Sequence, residues 1–302
     1  RVGRGMMGFL WRGRGAPVSL PIGWSACPAP AGRRRPYHGF LATDLRPAMK
    51  LALLSDIHAN RQALDACLAH AEAAGAERHA FLGDLVGYGA DPSYVVQRVM
   101  AFAAQGAIFI QGNHDLYATQ AVGDGKSLGH ASVAWTQQQL SEDERAFLAA
   151  LPLTAIDGSA LLVHASADAP ASWRYVENPQ LAALSLDAAS QPPVGNADVR
   201  YVFGGHVHFQ TLYFRGGAGK LMPFAPTPGV PIPVPRHRHW LATIGSVGQP
   251  RDGRIEAMYA IFDEAAQQLT FHRVPYDVPA AAAAIRATPL PAFFADRLEL
   301  GQ

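Results

Sequence analysis

The chain has 302 residues, 49% of them hydrophobic, and a formal net charge of +1. This size allows a full hydrophobic core. No apolar stretch approaches the roughly 18 residues of a membrane helix, so a membrane-spanning protein is excluded and a soluble one is predicted. The two cysteines, Cys27 and Cys67, form no disulfide framework and no zinc-binding spacing, which fits a reducing, cytoplasmic location.

The basic residues are concentrated in the N-terminal segment. Residues 1–48 contain eight arginines and one acid, Asp44, so the remainder of the chain carries a net charge of −6. An acidic body offers little basic surface for displacing counterions, which argues against nucleic acid as a partner. We expect residues 1–48 to be a disordered basic leader and 49–302 to be the folded domain. For the leader, non-native sequence is favoured over a natural extension or a targeting signal.

From residue 50, the apolar pattern predicts strands that alternate with helices. Asn60 and Gly75 are the start and stop signals of the first helix. This order implies parallel strands joined by right-handed crossovers. The predicted strands cover 50–55, 79–82 and 107–111, and the predicted helices cover 61–74 and 91–104.

The second half is predicted to contain more strands than helices. A helical stretch over 129–150 carries a capping box at Ser141 and Glu144. Residues 216–239 are rich in Pro and Gly and are interpreted as a surface excursion, and the Ala-rich end, 279–300, is predicted to be helical. Strands are predicted over 160–164, 200–203, 210–215, 240–244, 257–263 and 268–273, the later ones with hairpin-like spacing.

Five predicted strands end in polar residues of one chemical kind. Ligands of open α/β sheets bind beyond the carboxyl ends of the strands, so these side chains are expected at one edge. Burying carboxylates and imidazoles together is costly unless something pairs with them, and a metal is the natural partner. The residues are Asp56 and His58, Asp84, Asn113 and His114, His164, and His206 and His208.

The order of these motifs resembles the calcineurin-like metallophosphoesterase superfamily. The matching motifs are Asp56-Ile57-His58, Gly83-Asp84, Gly112-Asn113-His114-Asp115, His164 and Gly205-His206-Val207-His208. The segments GDLVGYG (83–89), LVHAS (162–166), GSVGQPRDG (245–253) and RVPYD (273–277) resemble its bacterial branch of predicted phosphodiesterases and diadenosine tetraphosphate hydrolases. The resemblance implies an α/β fold, a four-layer α/β/β/α sandwich with mixed sheets, over residues 49–302.

The resemblance also implies a site that holds two divalent metal ions. An activated hydroxide bridging the two ions would attack phosphorus in line. Nitrogen and oxygen ligands without thiolate suit manganese, iron, zinc or nickel, and manganese is expected first. One ion would be held by Asp56, His58 and His208, the other by Asn113, His164 and His206, and both by Asp84.

Further residues receive roles from the same resemblance or from their position. His114 resembles the catalytic histidine, which would protonate the leaving oxygen or stabilise its charge. Asp115 would orient an imidazole or, alternatively, serve only as an acid at a helix N-terminus. Arg251 would bind phosphate or form a structural salt bridge. Tyr88 and Asp91 would line the substrate mouth.

The predicted function is a dinuclear-metal phosphoesterase, namely a phosphodiesterase or nucleotide phosphohydrolase acting on small phosphoesters or nucleotides. Dinucleoside polyphosphate hydrolase and Ser/Thr protein phosphatase are alternatives of the same class, and the acidic body disfavours a nuclease. A non-enzymatic scaffold of the same fold would have a weakened site, whereas this sequence retains the full ligand set. No membrane partner is expected, and the sequence gives no indication of the oligomeric state.

Overall fold

A computed structural model describes residues 49–120, 128–216 and 219–302. The predicted leader, residues 1–48, lies outside the described residues, and its boundary with the folded domain remains a prediction.

The described residues contain strands and helices in the alternating order that the sequence predicts. The strands are β1 (Leu51–Leu54), β2 (Arg78–Phe81), β3 (Ile108–Phe109), β4 (Thr154–Asp157), β5 (Ala160–Val163), β6 (Tyr201–Gly204), β7 (Gln210–Arg215), β8 (Leu221–Phe224), β9 (Ile232–Pro233), β10 (Trp240–Ile244), β11 (Ala257–Asp263) and β12 (Gln268–Val274). The helices are α1 (Arg61–Ala73), α2 (Pro92–Ala103), α3 (Asn113–Thr119), α4 (Leu128–Gln139), α5 (Glu142–Ala150), α6 (Pro179–Ala189), α7 (Val278–Arg286) and α8 (Phe293–Leu300).

The strands form two mixed sheets of six strands each. In the first sheet the order is β3-β2-β1-β11-β12-β9, and in the second it is β4-β5-β6-β10-β7-β8. β1, β2 and β3 are parallel, and β5, β6 and β10 are parallel, whereas the other pairings are antiparallel. The carboxyl ends of the parallel strands therefore define one edge of each sheet.

Alternate residues of each strand point to opposite faces of its sheet. The hydrophobic core therefore lies both between the two sheets and between each sheet and the helices that cover it. Leu51 and Leu53 point into the core between the sheets, whereas Ala52 and Leu54 pack with α1 and α2. Between the sheets, the rings of Phe203 (β6) and Phe262 (β11) lie 5.0 Å apart. Helix α6 packs on the outer face of the second sheet. The predicted α/β/β/α layering is confirmed.

Several local predictions need correction. The sequence interpretation treats Asn113 as the end of a strand, but it begins α3, and β3 itself has only two residues. The predicted excursion, 216–239, contains β8 and β9, which lie at sheet edges, where proline costs no ladder hydrogen bond. The predicted single helix at the end is divided into α7 and α8 around Pro289 and Pro291.

Two helix starts were predicted correctly, and both caps form. The side chain of Asn60 accepts from the backbone N–H of Ala63 at 3.1 Å, and Ser141 and Glu144 form a reciprocal capping box. None of the helices in the described ranges has the length and apolar character that crossing a bilayer requires.

Candidate metal centre

The polar residues at the strand ends lie on strained backbone. Five of them have a φ between 49° and 66°, in the left-handed region that non-glycine residues seldom adopt. Such positions cost about 1–3 kcal/mol each and cluster at functional sites. The predicted ligands in this conformation are Asp56, His58, Asp84, His206 and His208.

The first group of potential ligands joins the loop after β1 to the loop after β6. Nε2 of His208 lies 3.1 Å from Oδ1 of Asp56 and 3.2 Å from Nε2 of His58. All three side chains are buried. Their ligand atoms are close enough together to hold one metal ion.

The second group contains Asp84, His164 and His206. Nε2 of His164 lies 3.3 Å from Oδ2 of Asp84 and 3.2 Å from Nδ1 of His206. Oδ2 of Asp84 is also 3.8 Å from Nε2 of His58, in the first group. Asp84 therefore lies between the two groups, where a bridging carboxylate would be needed.

Backbone carbonyls orient three of the histidine rings. Because Nδ1 of each ring faces a carbonyl oxygen, Nδ1 carries a hydrogen, and Nε2 points into the site, where it can bind a metal ion once it has no proton of its own. The pairs are His58 with Val86 (3.2 Å), His164 with Leu82 (2.7 Å) and His208 with Gln249 (2.5 Å).

This orientation makes the site a good fit for cations. The Nε2 lone pairs of His58 and His208 face each other at 3.2 Å, an arrangement that is unfavourable unless a positive charge lies between them. Buried ligand atoms of Asp56 (Oδ1), Asn113 (Oδ1) and His206 (Nε2) also lack a hydrogen-bond partner within the described residues. Leaving such atoms unsatisfied is costly, and coordination of a metal would satisfy them.

The electrostatics of the site favour a negative carboxylate at Asp84 with a positive charge beside it. Burial lowers the pKa of His58, and it lowers that of His206 to about 4, so both imidazoles are neutral at pH 7. Burial opposes ionisation of Asp84, but the nearby imidazoles of His164, His114 and His58 together outweigh it and lower the pKa of Asp84. For His164, burial acts against the charged form, yet the carboxylate of Asp84 raises its pKa to about 10. The proton on His164 therefore supplies the positive charge beside Asp84, and a bound metal ion would displace that proton.

His114 lies beside the two groups, and its ring forms a third possible ligand group with His58 and Asp84. Its backbone N–H donates to Oδ1 of Asp84 at 2.8 Å, and its ring is 5.1 Å from the ring of His58. The ring of Tyr88 lies 4.3 Å from that of His114 and 4.6 Å from that of His58. Tyr88 is therefore in contact with both histidines.

Asp115 contacts backbone groups and no imidazole of the described residues. Its Oδ1 accepts from the N–H groups of Leu85 (2.8 Å) and Val86 (3.3 Å), and its Oδ2 accepts from Gly112 (2.9 Å). The expectation that Asp115 orients a histidine ring is therefore not met. The carboxylate instead ties the start of α3 to the loop that follows Asp84, as an acid at a helix N-terminus.

Arg251 and Asp91 differ in their relation to the site. Arg251 donates from Nη2 to Oε1 of Gln249 at 2.9 Å, and its Nε is buried without a partner. Within residues 49–120, 128–216 and 219–302 it forms no ion pair, so the alternative of a structural salt bridge is not observed. Asp91 is the N-cap residue of α2 and belongs to neither ligand group.

Sequence reasoning missed several aromatic side chains at the site. The ring of Tyr175 stacks on that of His206 at 4.1 Å and is 46% exposed. Trp173 approaches His164 edge-on at 6.0 Å, and Tyr117 approaches His114 at 6.1 Å. No sequence signal marks Tyr175 or Trp173, because aromatic residues alone do not distinguish a site from a core, and only Tyr117 closely follows a motif.

Comparison with known proteins agrees with this geometry. The model of the calcineurin-like phosphoesterase superfamily domain matches residues 49–267. The uncharacterised protein MJ0912 of Methanocaldococcus jannaschii is 30% identical over 258 residues, which cover 83% of this chain and 98% of that protein.

Comparison with solved structures indicates the same family and fold. A metallophosphoesterase from Sphaerobacter thermophilus is 34% identical, with a TM-score of 0.74, and the match covers 84% of this chain and 100% of that one. The hypothetical protein PH1004 from Pyrococcus horikoshii OT3 is 18% identical, with a TM-score of 0.65, over 84% of this chain and 99% of that one, which shows the shared fold. The chain belongs to the calcineurin-like phosphoesterase superfamily and is a metal-dependent phosphoric ester hydrolase.

Proposed function

We propose that this chain is a phosphodiesterase or nucleotide phosphohydrolase that uses two divalent metal ions and acts on small phosphoesters in the cytoplasm. The observation that carries the proposal is the set of buried ligand atoms of Asp56, Asn113 and His206 that lack a hydrogen-bond partner in the described residues. They lie with two ring-nitrogen contacts of 3.2 Å, His58 with His208 and His164 with His206. Asp84 lies between the two contacts. This arrangement supports two cation positions and supplies a carboxylate that both could share.

The ligand assignment follows from the two groups. When occupied, the centre would supply Lewis acidity toward the phosphoryl oxygens and an activated water as nucleophile. Manganese is the first candidate, and iron, zinc or nickel would suit the same donors. One ion would be held by Asp56, His58 and His208, the second by Asn113, His164 and His206, and both by Asp84.

His114 would act on the leaving group. Burial lowers the pKa of His114, so the ring is neutral at pH 7 and holds a single N–H. We therefore propose that this N–H donates a hydrogen bond to the leaving-group oxygen as negative charge develops there. His114 would not act as a charged general acid, because its ring holds no second proton. Asp115 contributes indirectly, because it holds the backbone at Gly112 and so the start of the helix that carries His114.

Tyr88 and Arg251 would contact the substrate. Tyr88 borders both His58 and His114, and burial raises the pKa of its hydroxyl, which therefore stays protonated and able to donate. The guanidinium of Arg251 keeps N–H groups without a partner in the described residues and can bind a phosphoryl oxygen.

A second candidate function, a dinucleoside polyphosphate hydrolase, is favoured by Tyr175. Its ring stacks on that of His206 and is 46% exposed, so a planar base could extend the stack.

Hydrolysis by metal-stripped protein reloaded with manganese tests the proposal. The substrates are bis-p-nitrophenyl phosphate, p-nitrophenyl phosphate, cyclic nucleotides, diadenosine tetraphosphate and a phosphopeptide. We expect activity only after reloading, with a diester or a nucleotide as the best substrate. The stripped protein is the control. A phosphopeptide as the best substrate would indicate a protein phosphatase, and failure of manganese, zinc, nickel and iron on all substrates would overturn the proposal in favour of a scaffold.

A further inference from the structure

Helix α8 reaches the rim of the metal centre. Phe294 in its first turn lies 5.0 Å from the ring of Tyr88, which in turn is 4.3 Å from the ring of His114. Arg297 follows Phe294 by three residues, so both lie on the same side of the helix. The helix lies beyond residue 267, where the match to the family model ends. A cationic side chain outside the residues matched by the family model thus lies on the side of α8 that contacts Tyr88.

The end of α8 is tied to the loop that carries Arg251. The backbone N–H of Gly253 donates to the carbonyl oxygen of Gly301 at 2.9 Å. Gly301 has a φ of 65°, and a Cβ there would lie 2.5–2.7 Å from backbone atoms of Arg254. This close approach requires glycine. The positions of Arg251 and Arg297 are therefore set together, although 46 positions separate them in the sequence.

Neither guanidinium group forms an ion pair with an aspartate or glutamate of the described residues. Arg297 donates from Nε to the carbonyl oxygen of Gln302 at 2.6 Å, and no hydrogen bond from its Nη atoms is found within the part of the chain that the structure describes. Neighbouring arginines are paired, as Arg254 is with Glu256 at 2.9 Å and Arg286 is with Asp296 at 2.7 Å. In the described residues, Arg251 and Arg297 form no such ion pair.

The charges of the two arginines act on each other. Both side chains are only partly exposed. Burial, and then the charge of Arg251, lower the pKa of Arg297, while the phenols of Tyr88 and Tyr175 favour its charged form. Burial raises the pKa of Tyr88, and the charges of Arg251 and Arg297 both oppose that rise. The two like charges repel each other, and an anion bound by both guanidinium groups would reduce this cost.

We propose that Arg251 and Arg297 form a subsite for a second phosphate group of the substrate, next to the phosphate attacked at the metal centre. This inference rests on the proposed function and narrows its substrate class to phosphate esters with at least two phosphate groups, such as dinucleoside polyphosphates. A forked guanidinium binds phosphate oxygens in a bidentate manner, and two of them select a doubly anionic group over the neutral arm of a simple diester.

The test compares substrates with one and with several phosphates. We expect Arg297→Ala to raise KM for diadenosine tetraphosphate by about 10- to 100-fold, as for the loss of charge-assisted hydrogen bonds, with kcat nearly unchanged. Hydrolysis of bis-p-nitrophenyl phosphate by the same variant should stay within about twofold of wild type. Arg297→Lys should recover part of the loss. The matched control is Arg254→Ala, which removes a paired, exposed arginine. It should leave KM and kcat unchanged for both substrates.

Calorimetric titration of diadenosine tetraphosphate into the full chain provides a readout without turnover. Weaker binding to Arg297→Ala than to wild type supports the subsite, even if the wild type hydrolyses no phosphoester and the proposed function fails. If Arg297→Ala binds diadenosine tetraphosphate as tightly as wild type, or loses activity equally on both substrates, the subsite is overturned. The assignment as a metal-dependent esterase is not affected by either result. If Arg297→Ala loses its cooperative thermal melt, Arg297→Gln replaces it in both measurements, with the same outcomes.

Discussion

Charged and polar side chains are arranged differently at the two edges of the sheets. At the edge where the parallel strands begin, Arg78 donates two hydrogen bonds of 2.8 Å to the carboxylate of Asp157, so each charge has its partner. At the edge where they end, carboxylate oxygens and ring nitrogens face one another at 3.1–3.3 Å. Several of these buried atoms, on Asp56, Asn113 and His206, have no hydrogen-bond partner in the described residues. Buried ligand atoms without partners thus indicate a cation site, whereas a charged pair that satisfies itself does not.

The largest effect is expected from removing the charge that the two ligand groups share. Asp84→Asn retains an oxygen that can accept from the N–H of His114 but loses the negative charge between the groups. We expect bound manganese to fall and hydrolysis to drop more than about 10³-fold, since loss of transition-state charge stabilisation alone costs about 10²–10³-fold. Elemental analysis and steady-state rates measure this. Normal metal content with normal rates would contradict the shared-ligand assignment.

His114→Ala should separate catalysis from metal binding. Because alanine keeps the backbone N–H that His114 donates to Asp84, we expect metal content to be retained. Hydrolysis should fall by about 10²–10³-fold, the usual cost of removing one hydrogen-bond donor aimed at developing charge. Rates and metal content are measured on the same preparation. Unchanged turnover would remove His114 from the mechanism, and loss of metal would make it a ligand.

The metal-free centre should make stability depend on pH. Burial lowers the pKa of His58, and it lowers that of His206 to about 4, whereas in the unfolded chain histidines titrate near pH 6.5. At these two histidines the unfolded state therefore binds more protons between about pH 6.5 and 4. Burial raises the pKa of Asp115 to about 7, so at that group the folded state binds more protons over the same window and offsets part of the effect. Because two histidines oppose one carboxyl, the free energy of unfolding should fall as pH is lowered through that window. Urea unfolding of stripped protein at pH 7, 6 and 5 measures it. The decline should be shallower in His206→Asn, and a flat profile would contradict the argument.

The smallest effect is expected at the opposite edge. Asp157→Asn breaks a partly buried, bidentate pair with Arg78 and should lower the free energy of unfolding by about 1 kcal/mol, or Tm by about 2–4 °C. Hydrolysis should remain within about twofold of wild type. Arg78→Gln should give the same result, and the double variant should add little. A large loss of activity in Asp157→Asn would mean that the two edges are coupled.

Much of the fold could be predicted from local patterns. The continuous apolar run of β1, the Asn60 cap and the capping box at Ser141 are short-range signals, and the structure confirms them. The start of α3 was missed because the motif at Asn113 reads equally well as the end of a strand. β9 was missed because a two-residue strand containing a proline exists only through its neighbour, β12.

Candidate site residues could be predicted where they belong to a short sequence motif, and could not be predicted elsewhere. Asp56 and His58 are recognisable because two residues of ligand type follow an apolar strand. Tyr175 and Arg297 reach the site through contacts between segments far apart in the chain, with His206 and by way of Phe294 and Tyr88. The backbone role of Asp115 also depends on a contact with Leu85, 30 positions away. No spacing rule expresses such contacts.

The left-handed backbone at most ligand positions limits what the identity of a motif residue says about metal binding. Aspartate, asparagine and histidine are the non-glycine residues that tolerate this conformation best. A chain that had stopped binding metal would therefore still favour the same residues there for conformational reasons. Asn113 and His164 are not among the described residues with positive φ. Their identities carry no such backbone preference, and these two positions are therefore the more informative markers of a working centre in related chains.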